Sequence, residues 1–421
     1  MSYHHQLFIN NERVDAKSGE TLSVYNPHDS SLAADNIQEV GQADVDAAVA
    51  ASRAALKGEW SKWTPQPPTA ITKLLFGATS AIFRYHAGWT DKITGESYLA
   101  LDGNYKIVQY DPVGVCAGIG AWNAAPVFFA YKVAPAVAAG CTCIFKASEK
   151  SPIGILQFGD LVKEAGFPPG VIQIVSGGGK TGAMLASHMD INKISFTGSV
   201  SAGKKVQELA AKSNLKRVVL ELGGKSPSLI FADADFENAL VHHSQGFLIN
   251  SGQICVAPSR TFVHEDIAEK FVAELKPWDE TTFLGPLADD KQFDRVMGFL
   301  ESGKKEAKLV TGGGRHGDSG YYIEPTIFLN PKDDAKIYRE EIFGPLANDT
   351  SYGLAAYIFT SSMSRALHVA KQIEAGVVSI NAAGSGNIEV PTGGMKQSGL
   401  GREGGRQGIM HYLEQKMISI K

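Results

Sequence analysis

Val113-Gly-Val-Cys-Ala-Gly-Ile119, Cys141-Thr-Cys-Ile-Phe-Lys146, Val171-Ile-Gln-Ile-Val175, Lys193-Ile-Ser-Phe-Thr197 and Arg217-Val-Val-Leu-Glu221 are five short apolar runs within about 110 residues. Between them lie stretches with helical spacing, over 126–139, 153–165, 180–187 and 201–212, although Pro135 should kink or start the first. Strand and helix alternating in this way imply an α/β chain whose strands run parallel and are joined by crossover helices. Such sheets bind ligands at the carboxyl ends of their strands, which is where the distinctive residues fall.

Outward from this block, a second α/β unit begins near 222. It has a strand over 227–232, a helix over 236–249, a loop carrying Cys255 and a strand over 261–264. A helix over 364–373 then leads through 376–381 to a glycine-rich stretch ending Gly399-Leu-Gly-Arg-Glu403. The first 50 residues carry a strand pair, 7–9 with 22–25, and a helix over 43–55. A length of 421 residues and 44% apolar content support two or three ordinary cores. The net charge of −4 gives no basic field for nucleic acid, and no run of about 18 apolar residues offers a membrane span. The N-terminus lacks the layout of a signal peptide, and four cysteines are too few for a disulfide framework, so a cytoplasmic location is expected.

Several residues stand out, each with an ordinary reading beside the functional one. Cys255, in Gly252-Gln-Ile-Cys-Val-Ala-Pro258, has the surroundings of a nucleophile on a loop, or fills a core. Cys116, Cys141 and Cys143 sit on predicted strands and read as buried small hydrophobes. Glu221 closes an apolar strand before Gly223-Gly224; desolvation there would raise its pKa toward a useful base, unless it pairs with Arg217 or reaches solvent. Gly198 and Ser199 join a strand to a helix, a place for a phosphate or a turn needed for geometry alone. Lys146 and Glu149 end the second strand, where an acid can accept from a ribose diol. Asn123, beside Trp122, is an oxyanion donor or a turn residue before Pro126. The pairs His4-His5 and His242-His243 have no companions at metal spacing and read as surface histidines, so no metal is expected.

Taken in order, Gly120-Ala-Trp-Asn123, Phe145-Lys-Ala-Ser-Glu149, Phe196-Thr-Gly-Ser199, Leu220-Glu-Leu-Gly-Gly-Lys225, Gly252-Gln-Ile-Cys255, Glu341-Ile-Phe-Gly-Pro345 and Ser398-Gly-Leu-Gly-Arg-Glu403 resemble the NAD(P)-dependent aldehyde dehydrogenase superfamily. The resemblance leans to fungal or bacterial members acting on aromatic or betaine-type aldehydes. It implies a Rossmann-type parallel-sheet cofactor domain (1–98 and 116–221), a second α/β catalytic domain (222–408) and a small β oligomerisation element (99–115 and 409–421). It implies that Cys255 attacks the aldehyde, that Asn123 and the Cys255 N–H hold the oxyanion, and that Glu221 activates water with a relay through Lys132 and Glu403. For NAD, it implies Lys146 and Glu149 at the adenosine ribose, Gly198, Ser199 and Trp122 near the pyrophosphate, and Glu341 and Phe343 at the nicotinamide ribose. The expected partners are an aldehyde and, as homodimer or homotetramer, copies of the chain itself, with no nucleic acid and no membrane.

The family pattern breaks near Lys73–Leu74, after Lys276 and between Leu346 and Ala347. Two accounts are open: a chain shortened by packed elements, or a sequence from which residues have been skipped. Loss of packed strands ordinarily unfolds a domain, which favours the second. A folded but catalytically impaired relative with a structural or binding role is the alternative function. An acylating enzyme that passes the product to coenzyme A is disfavoured, because the resemblance keeps a base at Glu221.

Overall fold

The structure, a computed structural model, describes residues 3–58, 60, 75–275, 285–342, 351–384 and 387–421. The five apolar runs form strands Val115–Ile119, Thr142–Ala147, Ile172–Ser176, Lys193–Thr197 and Arg217–Glu221. Their spatial order is third, second, first, fourth, fifth, and every neighbouring pair is parallel. The first four are buried along their whole length, which explains why they read as unbroken apolar runs rather than alternating ones. The order reverses between Val115–Ile119 and Lys193–Thr197, the place where sheets of this kind form a ligand crevice outside the carboxyl ends of their strands.

Helices cover both faces. On one, Phe129 stacks on Phe158 with ring centres 4.9 Å apart and meets Phe145 edge-on at 5.1 Å. On the other, Val49, Leu185 and Val206 close over Ile144 and Ile194. Each such buried side chain contributes about 1.5–3 kcal/mol. The helix Ala125–Ala138 places Pro135 in its last turn rather than at its start, where the missing N–H costs one hydrogen bond. The single helix expected over 153–165 is two, Pro152–Leu156 and Phe158–Glu164, meeting at Gln157.

The edges of the sheet differ from expectation. Leu7–Ile9 does not pair with the 22–25 strand. It is wholly buried and pairs antiparallel with Ile172–Ser176 and with Glu12–Val14. The half-exposed Thr21–Tyr25 instead forms a separate ribbon with Leu32–Gln38. At the opposite edge Gly399–Leu400, from the second unit, adds antiparallel to Arg217–Glu221 and covers its open side.

The second unit has a four-stranded parallel sheet in the order Arg260–Val263, Pro227–Ile230, Ala355–Phe359, Val377–Ile380. The segment Leu222–Ser226 is the crossing between the two sheets. A third sheet pairs Tyr105–Pro112 with Glu96–Tyr98 on one side and the eight residues Leu413–Ile420 on the other. The three junctions 73–74, 276–277 and 346–347, together with Phe343, lie outside the described residues.

Candidate active site between the two sheets

The crossing after Glu221 is held by Ser398, whose carbonyl accepts from Leu222 N at 2.9 Å and whose hydroxyl donates to Gly223 O at 2.7 Å. A Cβ on Gly223 would fall on the Glu341 carboxylate, and one on Gly224 would fall on the Cys255 carbonyl. The two glycines therefore let the backbone pass between Glu341 and the Cys255 loop. Glu341 Oε1 accepts from Gly224 N at 2.9 Å.

The Cys255 loop is shaped by an unusual turn. Helix Phe236–Leu248 is capped by Asp235, and beyond it Asn250, Ser251 and Gly252 all take left-handed backbone (φ 53°, 55° and 75°). A left-handed serine costs about 1 kcal/mol or more and persists only where its surroundings hold it. The holding contacts are visible. Asn123 Nδ2 donates to Gln253 O at 2.9 Å, Asn250 Nδ2 donates to Asn123 O at 3.2 Å, and Gln253 Nε2 donates to Asn250 O at 3.0 Å. Asn123, on the loop after the first parallel strand, is thus tied to the backbone two residues before Cys255.

Electrostatics link the same groups. Burial raises the Glu221 carboxyl well above the ordinary carboxylate range. The Glu403 charge adds to this, while Lys132 and Arg402 oppose it. Glu221 does not pair with Arg217, which reaches Glu414 at 2.5 Å instead. Burial pushes the Cys255 thiol up to about 12, with further pressure from Glu341 and then Glu221. Beneath them Lys132, fully buried, donates to Thr197 Oγ1 at 2.7 Å and to Glu403 Oε1 at 2.9 Å, and Ser195 Oγ donates to the same Glu403 oxygen at 2.8 Å. Thr197 is the register partner of Glu221 on the adjacent strand.

At the other end of the crevice, Lys146 is buried with its amine donating to Gly177 O and lying 3.6 Å from the half-exposed Glu149 carboxylate. Desolvation lowers the Lys146 pKa, against the pull of Glu149. Ser199 caps the helix Val200–Lys212, accepting from Ala202 N at 3.3 Å, and Gly198 N donates to Glu221 O at 3.0 Å. Lys150 lies over the Trp122 ring at 5.4 Å and pairs with Asp289 at 2.6 Å, joining the two units beside the crevice.

The structure corrects one expectation here. His243 is buried, not a surface residue: its ring meets Thr261 Oγ1, and burial pulls its pKa to about 4. Arg402 donates to the carbonyls of Gly394 and Gly401. Asn250, Gln253, Ser195 and Thr197 are site-building residues that sequence reading missed. Asn250 alone carried a signal, as an Asn-Ser-Gly run suited to left-handed backbone. No group of three or more metal-ligating side chains occurs among the described residues.

A family model described as "Aldehyde dehydrogenase family" matches residues 68–418. The chain belongs to the aldehyde dehydrogenase family. It is therefore an oxidoreductase that acts on aldehydes. Curated relatives include an aldehyde dehydrogenase of Davidiella tassiana, 40% identical over 99% of this chain and 95% of that protein. Human retinal dehydrogenase 2 is also 40% identical, over 99% and 92%. Among solved structures, the NAD+ complex of the Bacillus cereus aldehyde dehydrogenase superposes with a TM-score of 0.93 at 36% identity, covering 99% of this chain and 96% of that one. The Pseudomonas aeruginosa aldehyde dehydrogenase KauB gives 0.94 at 34%, covering 100% and 97%. Matching the Davidiella enzyme takes 471 aligned positions against the 421 residues of this aldehyde dehydrogenase, so about fifty have no residue here.

No helix among the described residues is long and apolar enough to cross a membrane.

Proposed function

We propose that this chain oxidises an aldehyde to its carboxylic acid with NAD, Cys255 serving as nucleophile and Glu221 as base. The observation that carries the reading is the convergence of Cys255, Asn123 and Glu221, from three separate segments, on one glycine crossing. In this scheme the Cys255 sulfur adds to the aldehyde carbon, and the Asn123 amide with the Cys255 N–H stabilises the charge gathering on oxygen. Oxidation of that adduct leaves a thioester. Glu221 then takes a proton from water, which attacks the thioester and releases the acid and the Cys255 thiolate. Burial suits Glu221 to this, because a base with a raised pKa binds the proton it removes more firmly. Lys132 and Glu403 offer a path for that proton away from the site.

The crevice has the right donors for the cofactor. Lys146 and Glu149 would hold the adenosine ribose, and the Glu149 carboxylate would disfavour a 2′-phosphate there. Gly198 and Ser199, at the N-terminus of a 13-residue helix, and Trp122 would border the pyrophosphate, with Glu341 at the nicotinamide ribose. When bound, NAD supplies the two-electron acceptor. The cofactor domain is taken as 1–98 and 116–221, the catalytic domain as 222–408, and the assembly element as 99–115 and 409–421. The free thiols Cys116, Cys141, Cys143 and Cys255 are consistent with a cytoplasmic setting.

The test is NADH formation with a panel of aldehydes, comparing the parent with Cys255→Ala. The parent should turn over at least one aldehyde, and the variant should not, while still binding NAD. A Cys255→Ala protein working near the parent rate would overturn the assignment; a parent inert with every aldehyde and NAD would favour the impaired alternative.

A further inference from the structure

The turn that carries Arg402 and Glu403 is seated on His411, a half-buried side chain that the proposed reaction does not touch. Gly401 takes left-handed backbone (φ 86°) there, and a Cβ on it would press on Val219 and lie 3.5 Å from His411 Nε2. His411 follows the short helix Gly405–Met410, and its Nε2 accepts from the Arg402 backbone N–H at 3.2 Å. That bond sets the tautomer, with Nε2 bare and the proton on Nδ1. The backbone of Glu403 has its own tie, donating to Thr392 O at 2.8 Å and accepting from Thr392 N at 2.7 Å. His411 therefore acts on Arg402 first.

The Arg402 side chain runs beside the Glu221 carboxyl. A Cβ placed on Gly393 would meet Glu221 Oε1 at 2.5 Å and Arg402 Cδ at 3.0 Å, so the two flank one glycine. The Arg402 guanidinium, held by Gly394 O and Gly401 O, joins Lys132 in favouring ionised Glu221. His411 itself is set to be neutral. Burial lowers its pKa, the charges of Lys193 and Arg217 add to this, Glu403 opposes it, and Arg402 lowers it further. Protonation would turn the acceptor into a donor facing the Arg402 N–H and place a positive charge among three cations.

We propose that His411 is a positioning residue for the hydrolytic step, its neutral ring holding Arg402 beside Glu221 and its protonated ring releasing it. This rests on the role of Glu221 as base. With Arg402 released, Glu221 keeps its proton to higher pH. Hydrolysis of the thioester then slows, while the oxidation that precedes it does not.

The experiment mixes the full chain with NAD and an aldehyde and follows the acyl-enzyme by quenched-flow intact mass, from about pH 5 to about pH 9. His411→Leu should lose its acyl group about threefold more slowly on the rising limb, which moves about half a pH unit higher, with the NADH burst unchanged. His411→Gln keeps an acceptor that does not titrate. It should match the parent near neutrality and run about threefold faster at the acid end, where the parent ring is protonated. Exchange of the Arg402 amide, read by mass spectrometry at neutral pH, should quicken about fivefold in His411→Leu and stay near the parent in His411→Gln. Far-ultraviolet dichroism checks folding; if His411→Leu does not fold, the acid ends of the parent and His411→Gln profiles decide. A parent that forms no acyl-enzyme overturns the roles of Cys255 and Glu221, and this proposal with them. An acyl-enzyme in the parent that His411→Leu hydrolyses with the same pH dependence, or an acid end unchanged in His411→Gln, overturns the positioning role alone.

Discussion

Replacing Lys132 by methionine removes one ammonium from the floor of the site and leaves its volume nearly filled. Two hydrogen bonds disappear, one at 2.7 Å to Thr197 and one at 2.9 Å to Glu403. The Glu403 carboxylate stays behind, 8% exposed, with the Ser195 hydroxyl still donating to it. Solvent screens little at this depth. Stranding a buried charge by deleting its partner costs about 3–5 kcal/mol. Glu403→Gln in the same chain should return about 1–2 kcal/mol of this, because the stranded charge is gone. Urea unfolding followed by tryptophan fluorescence reads the effect as a lowered midpoint at unchanged slope. A second consequence has a definite sign. The Lys132 charge favours ionised Glu221, so its loss raises the Glu221 pKa further and moves the alkaline rise of kcat to higher pH. Lys132→Met within about 1 kcal/mol of the parent, or a kcat profile displaced to lower pH, would refute this account of the buried network.

Two other outcomes follow from the same structure. Glu341 presses on the Cys255 thiol more than Glu221 does, so Glu341→Gln should lower the thiol pKa and speed its alkylation by iodoacetamide at neutral pH more than Glu221→Gln; the reverse ranking would contradict the electrostatic description. The strand Leu413–Ile420 pairs with Tyr105–Pro112 along one side, and Met417 and Ile420 are exposed, so light scattering at micromolar concentration should find a homodimer or homotetramer; a monomer with ordered termini would refute assembly through this sheet.

The five parallel strands could be read from the sequence because both their faces are buried, leaving apolar runs too short for helices. Glu221 and Lys146 stood out for the same reason, as charges closing such runs. Strand pairing at the edges was not readable. Leu7–Ile9 chose Ile172–Ser176 through burial, and Gly399–Leu400 returned to the first sheet from about 180 residues away, which local pattern does not encode. The strand Ala355–Phe359 and the helix Asp290–Glu306 follow soon after interruptions of the family pattern, where the rhythm of elements was lost. His243 reads as a surface residue because the His242-His243 pair has no companions at metal spacing, yet helical rotation turns His243 into the core while His242 stays partly buried. Side-chain networks were the least visible level. Nothing in single residues joins Asn123 to Asn250 and Gln253, since those contacts exist only once two units meet.

The most direct test of the central claim is intact-mass and peptide-level mass spectrometry of Glu221→Gln after mixing with NAD and an aldehyde. Without its base, the protein should complete the oxidation once and then stall, with the acyl group retained on the peptide containing Cys255 and NADH formed in an amount matching the protein. Sustained turnover with no adduct, or an acyl group carried on any other residue, would contradict the pairing of Cys255 as nucleophile with Glu221 as base.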